Sequence, residues 1–134
     1  MTPEIKTLCD EIAETLREGV DADAVKAWIY AELLEDSGHV AVYHEKPDGV
    51  VRSHSRCPED RLESVLLSQI AELRRLWTTS GGPAWTVASH CWERPRLSIQ
   101  FGNEDVTDAR GMAARRGRWE KRHFGEREIS SRDC

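Results

Sequence analysis

Five histidines and four cysteines are the residues of this chain best suited to metal or nucleophilic chemistry, and their spacing supports neither. There is no HExxH, no CxxC and no pair of histidines one helical turn apart, the arrangements that bring ligands onto one ion. His44 and His54 can face each other across a hairpin turning at Pro47-Asp48. His90 and Cys91 are neighbours in an extended run, so they point to opposite faces and do not easily share an ion. No metal ligand set and no cofactor is expected. Cys91 with a distant histidine is a formal nucleophile, but its alternation with Trp85, Val87 and Ser89 reads first as a small core residue. Paired carboxylates at Glu35-Asp36 and Glu104-Asp105 fall in predicted loops, without the cleft that acid–base work needs. Ser80-Gly81-Gly82-Pro83 leaves a helix and enters a strand, whereas a phosphate cradle needs a strand feeding a helix N-terminus.

Charge is the more informative feature. The 134 residues carry 19 basic and 24 acidic side chains, a net of −5, which argues against a nonspecific nucleic-acid coat. The distribution is lopsided: residues 1–50 hold four basic groups against twelve acidic ones. The cations concentrate at 110–122, where Arg110, Arg115, Arg116, Arg118, Lys121 and Arg122 face the single Glu120. With Trp119, that stretch could be a nucleic-acid helix. The alternatives are that its cations stay solvated, pair with the acidic half of the same molecule, or meet a protein partner.

The elements that must position these groups follow from hydrophobic period. Ile5, Leu8, Ile12 and Leu16 predict an amphipathic helix over 3–18, capped by Thr2, with Pro3 at its first position and Gly19 at its end. The period drops to two over 24–34, predicting a strand, although Ala, Leu and Glu there also suit a helix. Runs at 40–44 and 50–53, separated by Lys46-Pro47-Asp48-Gly49, complete a meander. Leu62, Val65, Leu66, Ile70, Leu73 and Trp77 predict a helix over 58–77 that opens at Pro58, with Glu59 and Asp60 in its first turn. Strands at 85–92 and 97–101, joined through Glu93-Arg94-Pro95-Arg96, precede a helix over 109–124 capped by Thr107 or Asp108 and stopped by Gly125. The order is α-β-β-β-α-β-β-α. It predicts one α+β domain over 1–125, an antiparallel sheet of about five strands with helices covering one face, and a polar, flexible tail over 126–134. Trp77 and Trp85 belong to the core by spacing. Trp28 and Trp92 sit beside charged residues and are candidate interface anchors.

No apolar run approaches the ~18 residues of a membrane span. The N-terminus has no basic and apolar leader, and the scattered Cys9, Cys57, Cys91 and Cys134 suit a reduced, cytoplasmic chain.

The layout also resembles the YezG-like family of bacterial immunity proteins. The resemblance rests on an N-terminal helix, Trp28-Ile29-Tyr30-Ala31-Glu32 on the first strand, Tyr43 on the next, and Ser53 before Pro58. It continues through Glu72-Leu73-Arg74, Pro83-Ala84-Trp85-Thr86 and Phe101-Gly102-Asn103-Glu104-Asp105. The closing Arg115-Arg116-Gly117-Arg118-Trp119-Glu120-Lys121-Arg122-His123-Phe124-Gly125 looks like the family's arginine-tryptophan-lysine helix. The resemblance implies a non-enzymatic cytoplasmic inhibitor whose partner is a cognate toxin domain delivered by a polymorphic secretion system, often a nuclease. It supplies no catalytic residues, and neither membrane binding nor direct nucleic-acid binding is expected. If the toxin cleft is basic, an acidic surface would fill it, and the expected toxin-binding residues are Glu32, Glu35, Asp36, Asp48, Glu104 and Asp105, with Trp28 or Trp92 as anchor. A nucleic-acid-binding protein using the basic helix and a small hydrolase using Cys91 or His90 are the alternatives.

Overall fold

Strand pairing and helix packing were read from a computed structural model that describes residues 2–54, 61–93 and 96–131. α1 spans Pro3–Gly19, starting where the Thr2 hydroxyl accepts the Ile5 N–H at 3.2 Å, and it buries Ile5, Leu8, Ile12 and Leu16. Glu4, Asp10, Glu11, Glu14 and Glu18 take its exposed face. β1 (Lys26–Leu33), β2 (Gly38–Glu45) and β3 (Val51–Ser53) form the expected antiparallel meander. The Ala/Leu/Glu content of β1 does not make it a helix, because its alternate residues enter two different cores. α2 covers Leu62–Thr79, and β4 (Val87–Glu93) and β5 (Arg96–Gly102) form an antiparallel pair. A single 3-10 turn at Ala109–Gly111, closed by the Arg110 N–H on Asp108 Oδ1 at 3.0 Å, leads into α3 at Met112–Phe124. Asp108 therefore caps that turn, while α3 itself begins later than the spacing suggests.

Several expectations are corrected. Among the described residues the sheet has six strands in the order β5-β4-β1-β2-β3-β6 and is mixed, because β6 (Ile129–Ser131) runs parallel to β3. Ile129–Ser131, within the segment expected to be a polar, flexible tail, thus form a strand. Its lone apolar Ile129 pairs in register with Val51 and packs beside the α3-side core, a contact that no local period announces. The helices also cover both faces of the sheet, not one. Ala27, Ile29, Ala31 and Leu33 pack with α1 and α2, whereas Trp28, Tyr30 and Tyr43 pack with Trp119 and Phe124 of α3. A strand buried on both sides can carry polar atoms on one of them if each finds a partner.

The expected helix opening at Pro58-Glu59-Asp60, the Arg94-Pro95 part of the hairpin, Cys57 and Cys134 lie outside the described residues.

Candidate functional site

The face under α3 encloses a charged pair among aromatic side chains. β1 alternation presents Trp28, Tyr30 and Glu32 to it, and α3 answers with Arg115 and Trp119, four residues apart, and then Phe124. Arg115 holds Glu32 through two contacts, Nε to Oε2 and Nη2 to Oε1, both 2.8 Å, and Glu32 is 3% exposed. The Tyr30 hydroxyl donates to the same carboxylate. Burial pushes the Glu32 carboxyl up, but its hydrogen bonds from Arg115 and Tyr30 outweigh that and hold it below the ordinary range. Burial, and then the Glu32 hydrogen bond, pushes the Tyr30 phenol up, and the Glu32 hydrogen bond raises Arg115. The Tyr43 hydroxyl donates to Glu120 at 2.6 Å and the Trp119 indole to Ser89 Oγ at 2.8 Å. Trp28 meets the Phe124 ring edge-on at 4.8 Å.

These contacts change the reading of three expected toxin-binding residues. Glu32 and Trp28 are enclosed beneath α3, and Trp92 is 4% exposed in the core on the other face. None of the three is available to a partner on the described surface. The physical reason is that β1 and β4 lie in the middle of the sheet with a helix layer on each side, so a polar neighbour in sequence does not imply solvent. The two-face arrangement could have been suspected from Arg115, Trp119 and Phe124, which share one side of a helix with an arginine among aromatics.

The remaining acids divide between the two ends of the sheet. Glu35 and Asp36 lie exposed in the β1–β2 turn. Glu104 and Asp105 follow β5, whose Gly102 is joined through Val87 of β4 to Glu32 at the end of β1. Hydrogen bonds from Leu33 N to the Thr86 carbonyl and from Thr86 N to the Gly102 carbonyl tie this end together. The fold therefore brings Glu35, Asp36, Glu104 and Asp105 to one end. Glu104 pairs with Arg118 at 2.8 Å, both well exposed, and the Thr107 hydroxyl and then its backbone N–H hold the Asp105 carboxyl below its usual value. Asp48 lies at the opposite end, in the β2–β3 turn. Arg52, 2.8 Å away, and then the Val50 N–H pull its carboxyl down to about 2.

Three of the histidines are buried. The His44 and His54 rings do meet, Nδ1 to Nε2 at 2.7 Å, and His44 Nε2 lies 3.4 Å from Asp21 Oδ2, linking β2 to the segments that follow β3 and α1. His90 is fully buried between Ile29 and Ile99, with no hydrogen-bond partner on either ring nitrogen among the described residues. Burial pushes it down to about 4, so it is neutral at pH 7. Cys91 points to the opposite face, and burial followed by the Glu93 charge pushes its thiol up, away from the reactive thiolate. Among the described residues, no three His, Cys, Asp or Glu side chains are grouped to hold a metal ion. On the basic stretch, Arg115, Arg116 and Arg118 all lie against carboxylates, those of Glu32, Glu120 and Glu104. No helix among the described residues is long and apolar enough to cross a membrane.

No known protein-family profile matches the chain. It is similar to Immunity protein YezG of Bacillus spizizenii, with 26% identity over 116 residues, covering 78% of this chain and 72% of that protein. The relationship is distant and immunity-protein-like.

Proposed function

We propose that this chain is a non-enzymatic immunity protein that binds and neutralises a cognate secreted toxin domain in the cytoplasm of the producing cell. The observation that carries the reading is the similarity to Immunity protein YezG across most of both chains. The toxin acts on nucleic acid, as a nuclease or deaminase, within a polymorphic toxin system used in competition between bacteria. Such a toxin needs a basic cleft for its polyanionic substrate. The end of the sheet carrying Glu35, Asp36, Glu104 and Asp105 offers carboxylates where the substrate would offer phosphates. Complementary charge of this kind speeds capture by about tenfold to a thousandfold at low salt. The rigid sheet beneath the two loops keeps the cost of ordering them small.

The direct test is co-expression with any toxin domain found encoded beside this gene. Cells making the toxin alone should stop growing, and cells making both should grow and yield a co-purifying complex. Continued growth arrest with full expression of this chain, together with no complex at micromolar concentrations, overturns the reading.

A further inference from the structure

β5 forms one edge of the sheet, and Arg96–Gly102 reads Arg-Leu-Ser-Ile-Gln-Phe-Gly. Exposed edges are usually blunted by Pro, Lys or an inward charge, because their free N–H and C=O groups template pairing with another strand. After Arg96 this strand carries none of these. Beside it a groove of about 410 Å³ opens between α1 and the sheet, with Leu97, Ile99 and Phe101 of β5 along one wall and Lys6 and Asp10 of α1 among the residues opposite.

The backbone direction of the edge follows from the ladder. The Leu33 N–H on the Thr86 carbonyl aims the odd residues of β1 at β4, and so Ala88, His90 and Trp92 back at β1. In an antiparallel ladder the alternate residues then face the other neighbour. Val87, Ser89, Cys91 and Glu93 therefore bond to Gly102, Gln100, Ser98 and Arg96, which turns the N–H and C=O of Leu97, Ile99 and Phe101 outward.

We propose that two copies of this chain join β5 to β5, antiparallel, about a two-fold axis at Ile99, to form one sheet running through a dimer. In this register Ile99 faces Ile99, Leu97 faces Phe101 and Ser98 faces Gln100. The outward backbone groups meet their counterparts, and Leu97, Ile99 and Phe101 of the two copies form one continuous apolar row. A shift by one residue would set Leu97 against Gln100 and misalign the backbone groups, so the pleat itself rejects it. Charge also complements itself. Arg96 of one copy lies opposite Gly102 of the other, and Glu104 follows two residues on, on the α3 side that Arg96 shares. The dimer does not depend on the toxin reading.

Sedimentation equilibrium of the full chain at about 100 μM, a concentration at which micromolar dimers are filled, should give twice the 15.3 kDa chain mass. Ile99→Lys, which sets two ammonium groups against each other at the axis, should give the monomer mass with an unchanged circular dichroism spectrum. If that variant does not fold, the charge swap decides on exposed residues alone. Arg96→Glu and Glu104→Arg should each raise the dimer dissociation constant about threefold, and the double variant should restore it. A monomeric wild-type chain, including one whose edge instead takes a strand from another protein, overturns the proposal. So does a dimer indifferent to the variants.

Discussion

Arg115 and Glu32, 83 positions apart, form a two-point ion pair with both contacts at 2.8 Å, and the two side chains are 6% and 3% exposed. This pair locks α3 onto β1 and takes a carboxylate out of the candidate surface. Breaking one side leaves a buried, uncompensated charge, which costs about 3–5 kcal/mol. Arg115→Met should therefore destabilise the fold by that order. Glu32→Gln in the same chain should recover a substantial part, because the remaining amide is neutral. Urea unfolding of the two single variants and the double variant measures the coupling. Strictly additive losses would show that the pair does not act as a unit.

His90 makes stability depend on pH in a definite direction. Its ordinary value near 6.5 applies when unfolded, and its folded value is about 4. The unfolded chain binds the proton first, so the stabilisation is complete above 6.5 and is lost as pH falls toward 4. Between pH 7 and pH 5 the wild type should lose about 2 kcal/mol from this group. His90→Leu should lose none of that, and at pH 7 it should be no less stable, since both ring nitrogens lack partners among the described residues. Chemical denaturation at the two pH values checks this, and equal losses in both proteins would remove His90 as the cause.

The acidic end of the sheet makes a separate prediction about capture of the toxin. Reversing Glu35, Asp36, Glu104 and Asp105 to lysine should slow association at least about tenfold and flatten its salt dependence. Reversing Glu4, Glu11, Glu14 and Glu18 on the exposed face of α1 changes the net charge equally, yet should have the smaller effect. Stopped-flow binding at two ionic strengths distinguishes them. Equal effects would mean that total charge, not this surface, guides the encounter.

Much of the architecture was legible because it is local. The leucine and isoleucine spacing of α1, the alternation of β1 and the Pro47-Asp48-Gly49 turn each depend on neighbours within a few residues, and the structure places elements there. The meeting of His44 and His54 was legible for the same reason, since the hairpin pairs His44 with Arg52 and sets His54 only two positions further along the same side. β6 was not. Three residues with a single isoleucine have no period, and their strand exists because Val51 offers a parallel edge more than seventy residues earlier.

The candidate site divides along the same line. Residue types and their order determined the acid-rich first half, the basic last helix, the absence of ligand spacing and the α-β-β-β-α-β-β-α succession. Tertiary structure alone decided which charges face water. A second helix layer closes over β1, so Glu32 becomes a structural ion-pair partner and Trp28 a core residue, while Glu35 and Asp36, a few positions on, remain in a turn outside the sheet. The sequence records which side of a strand a residue takes. Whether that side meets solvent or another helix depends on chain segments far away, and burial is a property of the assembled layers.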